Sequence, residues 1–336
     1  MASKPFNPFL FYSDQLQRLF VKASKQDNPA WWLYQNGART SLFMLEALTK
    51  LHDEAFGEKV FKKWNPRFKK LEDLFGIIDY YSAFETEFKK NKKISPSLLS
   101  YFSENKLQYI EICNKRLKKK SSLNNKLLSF NEKLAGYNAM YSEDYVDTLR
   151  QSISNEISDI KTFCADRNYS LTLFEEEVHE VRRKLRWLSI YHQSFNGLIQ
   201  LKKSSTKTIY SISYFTKNTL SSPFNQRIPK PKNSAILEYN DKPFLALSWI
   251  INELGILKDS GLKIQALTDA FCYTEELTEH QAKEKTFKLL GLTNTTEKEL
   301  LKKASVMTHT FIAKDKVLDS LLAATNTDRT GSLTKL

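Results

Sequence analysis

Glu175-Glu176-Glu177-Val178-His179-Glu180-Val181-Arg182-Arg183-Lys184-Leu185-Arg186-Trp187 carries an apolar seam and a cationic ridge on one run of residues. Phe174, Val178, Val181, Leu185, Leu188, His192, Phe195 and Ile199 recur at steps of four and three. That is the repeat of one buried helix face, so the spacing predicts a helix over 173–201. His179, Arg182 and Arg186 follow the same rhythm one residue later, and Arg183 and Lys184 extend the flank. Thr172 and Glu175 fit a capping box, and the acidic run suits the positive end of the helix dipole. Arginine forks grip phosphate oxygens in pairs and stay charged at any relevant pH. The competing reading is a solvated face whose aliphatic stems cover the core. His179 amid arginines can donate to phosphate, although a lone histidine is more often a packed one.

The helical period extends outward from this stretch. Only nine glycines and nine prolines punctuate 336 residues, and amphipathic patterns cover 33–51, 68–88, 96–120, 123–134, 142–163, 243–257, 261–277, 280–290 and 297–322. Strand-like alternation is rare, so the fold class is all-α. The exception is an irregular excursion at 202–241, rich in Ser and Pro, with some Tyr/Ile alternation at 209–215. The last residues, 323–336, read as a flexible tail and 1–29 as an N-terminal extension. Leu71-Glu72-Asp73-Leu74-Phe75-Gly76-Ile77-Ile78-Asp79 echoes Ile251-Asn252-Glu253-Leu254-Gly255-Ile256-Leu257-Lys258-Asp259. Each reads as a helix that stops at Gly, with Asp starting the next. The echo predicts two pseudo-repeated antiparallel bundles, 30–165 and 166–322, around a central basic cleft.

Composition narrows the function classes. Fifty-one basic residues against 38 acidic ones give a net charge of +13, which favours nucleic acid, polyphosphate, anionic membrane or acidic protein partners. Cys113, Cys164 and Cys272 are far apart and in no metal-ligand spacing, which points to a reducing, cytoplasmic setting. No run approaches the ~20 apolar residues of a membrane span, so no membrane insertion is expected. Phosphate loops, dinucleotide fingerprints and nucleophile elbows are missing, and the five histidines are scattered. The chain therefore reads as a binding protein and not an enzyme, with no cofactor.

The histidine-arginine helix and the two Gly-Asp segments resemble the CHAD domain family over scattered blocks of residues 30 to 290. The resemblance implies an all-α duplicated fold of two bundles facing a basic channel, and binding of inorganic polyphosphate. It implies that His179, Arg182, Arg183 and Arg186 line that channel. In the first half the register that keeps spacing puts Tyr34, Gly37 and Ser41 at the corresponding places, with Arg39 the only cation there. Lys62, Lys63, Arg67 and Lys70, in a basic run interleaved with Phe61, Trp64 and Phe68, are expected to supply the opposite wall. That run also carries the alternative function, RNA or DNA binding with Phe61 and Trp64 stacked on bases. A scaffold for acidic proteins is a third reading. Glu85-Thr86-Glu87-Phe88-Lys89 matches the E-x-E-x-K strand pattern of triphosphate tunnel enzymes, but its helical flanks make the match a coincidence.

Overall fold

A computed structural model describes residues 6–118, 122–135, 142–204, 210–231 and 237–323. It is all-α, as the period predicts. Local chemistry sets the starts of the first helices. Asn7 accepts from the N–H groups of Phe9 and Leu10 to cap α1 (Pro8–Ala23), and Asn28 caps α2 (Pro29–Gln35). Both helices carry Pro in the first turn, where a missing N–H costs nothing. Gly37 and Gly57, with φ of 75° and 63°, bracket α3 (Ala38–Phe56). Next come α4 (Lys59–Phe88), α5 (Pro96–Lys118), α6 (Ser122–Ala135) and α7 (Glu143–Ala165). After a π-helical turn at Phe174–His179, α8 runs Glu180–Ser194. A two-stranded parallel pair, β1 (Ile199–Lys202) and β2 (Leu237–Asn240), clasps the excursion, which contains α9 (Lys217–Ser221). The chain ends in α10 (Asp241–Glu275), α11 (Glu279–Leu290), α12 (Asn294–His309) and two short irregular turns.

Several sequence expectations need correction. The helix expected over 173–201 stops at Ser194, because Ile199 enters β1. Its start is held by Glu177, whose carboxylate accepts from the Thr172 and Leu173 N–H groups and the Thr172 hydroxyl, so Glu175 closes no capping box. The helices expected at 243–257 and 261–277 are one continuous α10, and the helix expected from 68 begins at Lys59. Gly76 and Gly255 therefore lie in mid-helix, where neither ends anything. Within the expected N-terminal extension, Phe9 and Leu16 of α1 are buried in the main core. Ile209, Lys119, Lys120 and residues 324–336 lie outside the described residues, and 210–215 form no strand.

One large core draws on both halves of the chain, with α3 packed on α8 and α10 on α8. A smaller core of Phe84, Phe88, Phe102, Leu267 and Phe271 sits where the far ends of α4 and α10 meet α5 and α11. One close approach decides how α8 enters. A Cβ at Gly261 of α10 would lie 2.5 Å from the ring of Phe174 in the π-helical turn. Gly261→Ala is expected to lower stability by about 1–3 kcal/mol through overpacking, although alanine alone favours a helix by about 1 kcal/mol. Urea unfolding checks this, and an unchanged midpoint would mean that the Phe174 ring yields freely.

Candidate functional site

The site is built where α3 and α8 cross. Phe43 of α3 stacks on Trp187 of α8 with centroids 5.2 Å apart and planes 11° apart. This contact fixes Arg39, one turn before Phe43, beside Arg186, whose guanidinium lies 4.7 Å over the Phe43 ring. Arg39 and Arg182 each approach a glycine of a long helix closely. A Cβ at Gly76 would come 3.1 Å from Arg39 Nη2, and a Cβ at Gly255 would come 3.0 Å from Arg182 Nε. Each Nε then donates to a group four residues before its glycine: Arg39 to the Glu72 carboxylate at 2.8 Å, and Arg182 to the Ile251 carbonyl at 3.0 Å. Thus Arg39, and not Gly37 as the spacing register has it, stands to Gly76 as Arg182 stands to Gly255.

The electrostatics of the three arginines differ. Arg39 is neutralised by Glu72 and by Asp79 at 2.7 Å, and Asp79 also accepts from the Tyr34 hydroxyl at 2.9 Å. Among the described residues no carboxylate lies within ion-pair distance of Arg182 or Arg186. Burial and then repulsion from Arg182 and Arg39 push the Arg186 guanidinium down to about 10, with Glu72 opposing. Arg186 nevertheless keeps a solvent-exposed side chain, so protein crowds it without sealing it off. Burial also lowers Arg182, against the pull of Asp259. A second negative charge at this point would relieve both groups. His179 Nδ1 is 3.3 Å from the Glu175 carboxylate, an ion-pair contact, and this buried nitrogen meets no hydrogen-bond acceptor in good geometry among the described residues. The same proximity draws the Glu175 carboxyl below its usual range.

The remaining expected site residues do not join this group. Arg183 makes a two-pronged pair with Glu180, at 2.7 and 2.8 Å, and lines a cavity on the α7 side with Lys184. The ridge therefore splits between two flanks, since successive helical residues are about 100° apart. Lys63, Arg67 and Lys70 lie about 120–180° around α4 from Gly76, and Lys62 shares the Gly76 stripe but about 21 Å along the axis. Arg67 packs instead on Trp64, at 5.0 Å. Sequence reasoning missed Glu72 and Phe43, and it misread Gly76, Gly255 and Asp79 as parts of turns. A glycine inside an otherwise strong amphipathic period was the available signal of close approach. Glu85 is on α4 and pairs with Lys89 and Lys106, so the E-x-E-x-K match has no strand to stand on. Among the described residues no helix is long and apolar enough to cross a membrane. Comparison with known protein families, with curated proteins and with solved structures finds no match.

Proposed function

We propose that this protein binds inorganic polyphosphate, or a similar phosphate-rich polyanion, at Arg39, Arg182, Arg186 and His179, without covalent chemistry. The observation that carries the reading is the pair Arg182 and Arg186, crowded by Arg39 and lacking, among the described residues, a carboxylate within ion-pair distance. An anion with several linked oxygens satisfies adjacent forks at once, which a single carboxylate does not. The reading agrees with what the CHAD resemblance implies. The arrangement of two pseudo-repeated bundles around a basic cleft belongs to the same proposal, supported by the matched Arg39–Gly76 and Arg182–Gly255 contacts. Three free cysteines fit a cytoplasmic setting.

Nucleic-acid binding by base stacking is disfavoured by burial. Phe61, Trp64 and Phe68 are 0 %, 5 % and 3 % exposed, so the basic run offers no open aromatic platform. Filter-binding titrations with polyphosphate, RNA and heparin at two salt concentrations test the proposal. Polyphosphate is expected to bind at low salt, to displace RNA completely, and to weaken with a log–log slope of about −2 if three cations each displace ~0.7 counterion. No binding of polyphosphate at low salt, or its full displacement by RNA, overturns the reading.

A further inference from the structure

A second concave site lies on the opposite flank of α8. A cavity of about 450 Å³ opens between α3, α7 and α8. Its lining has both signs of charge, with Lys50 of α3 set among the carboxylates. On one side are Glu54 of α3 and Glu156 and Asp159 of α7; on the other are Arg183 and Lys184 of α8. Trp187 forms part of the wall between them, and is only 6 % exposed. Its indole N–H has no acceptor among the described residues. That nitrogen is covered by protein atoms and is not reached from the cavity.

The carboxylate side is organised from within. Lys50 reaches between Glu54, at 2.7 Å, and Glu156, which also accepts from the Tyr191 hydroxyl at 2.6 Å. Lys50 already occupies the place between the two carboxylates that a bare cation would take. Partial burial, and then the adjacent Glu156, push the Glu54 carboxyl up to about 7. Asp159 has no ion-pair partner among the described residues. On the cationic side Lys184 is only loosely tied, 3.8 Å from Glu180.

We propose that this cavity binds a small zwitterion of the amino-acid class, its protonated amine against Glu54 and Asp159 and its carboxylate toward Lys184 and Arg183. A plain polyamine meets repulsion from Arg183 and Lys184, and a plain anion meets it from three carboxylates. A molecule with both charges a few bonds apart satisfies both walls. An incoming ammonium favours the ionised form of Glu54, so binding near neutrality releases a proton from that group. The groups that face it are Lys50 from α3, Glu156 and Asp159 from α7, and Arg183 and Lys184 from α8.

Isothermal titration of the full chain with L-lysine, L-glutamate, spermidine and inorganic phosphate tests this. Both amino acids are expected to bind saturably, with heats that change with the ionisation enthalpy of the buffer, whereas spermidine and phosphate do not compete. Asp159→Asn and Lys184→Met each remove one charge while keeping side-chain bulk, and each is expected to weaken amino-acid binding by about tenfold. Saturable binding of spermidine alone or of phosphate alone overturns the proposal. So does failure of both amino acids to bind, or affinity unchanged in both variants. Polyphosphate titrated into the same two variants is expected to bind as in the parent, which separates this site from the arginine site.

Discussion

Arg182→Ala combined with Arg186→Ala is expected to lower polyphosphate affinity about a hundredfold or more while the protein stays folded. Charge-assisted hydrogen bonds contribute roughly 1.5–3 kcal/mol each, and two of them lost together give at least that factor. Lys118→Ala with Lys90→Ala, at the exposed end of α5 and in the exposed turn after α4, removes the same formal charge and is expected to cost far less. Gly255→Ala gives an independent check, because it leaves both arginines in place. The new methyl group would sit 3.0 Å from Arg182 Nε and must displace the guanidinium by a few tenths of an ångström. Mid-helix alanine itself favours the helix by about 1 kcal/mol. Weaker polyphosphate binding with an unchanged or raised melting temperature therefore marks Gly255 as a positioning residue. Equal losses in the ridge and surface double variants would reduce the ridge to a solvated helix face. Circular dichroism and thermal melts of every variant exclude the trivial cause, since arginine stems also cover apolar neighbours.

Glu46→Gln is expected to raise stability at pH 8 by about 2–3 kcal/mol, and the gain should vanish by about pH 4.5. Glu46 is 5 % exposed, and Oε2 has no hydrogen-bond partner among the described residues. Burial first, then Glu72, push its carboxyl up to about 7, against Lys69 and Arg183. The sign follows from linkage. A carboxyl raised in the folded state binds a proton there that the unfolded chain lacks between its two pKa values. The native state therefore gains stability as pH falls through 7 toward 4.5, and suffers the full penalty of the buried charge above 7. His52 and His192 act the other way. Burial lowers them to about 3 and about 4, so the unfolded chain takes up their protons first and stability falls as pH drops below 6.5. In the parent the two histidines outweigh Glu46, so these groups together lower stability by about 1.4 kcal/mol per pH unit between pH 6.5 and 4.5, and more steeply just below. Glu46→Gln removes one compensating proton and steepens the upper part by about 1.4 kcal/mol per pH unit. Urea midpoints at pH 8, 6 and 4.5 measure this, and a uniform shift at all three would show that Glu46 is not titrating.

How much of this was legible in the sequence depends on whether a feature is local. The all-α class follows from the 3.6-residue period and the scarcity of Gly and Pro, and the Arg182–Arg186 stripe follows from a four-residue step. Gly76 and Gly255 were misread because helix-stop rules describe chain ends in water. Here a guanidinium from another helix covers each glycine, and continuous packing carries α4 and α10 through them. The basic-aromatic run was misread for a similar reason. Phe61, Trp64 and Phe68 at steps of three and four form a core face, and the lysines between them are its outward side. Arg183 is a different case, because its angular offset from Arg182 was visible in the period and only its Glu180 partner was not. The β1–β2 pair joins segments 34 residues apart at their near ends, and no local pattern of four residues specifies a partner at that range.

The length of α4 and α10 carries a mechanical consequence. At 30 and 35 residues they span about 45 and 52 Å, and each contributes side chains to both the large core and the small distal one. Two rods that pass unbroken from one body into the other leave no hinge between them. The distal lobe therefore cannot swing or twist as a separate part against the arginine site unless both rods bend together, and any deformation at the lobe must reach Gly76 and Gly255 as flexure of the helices that bear them.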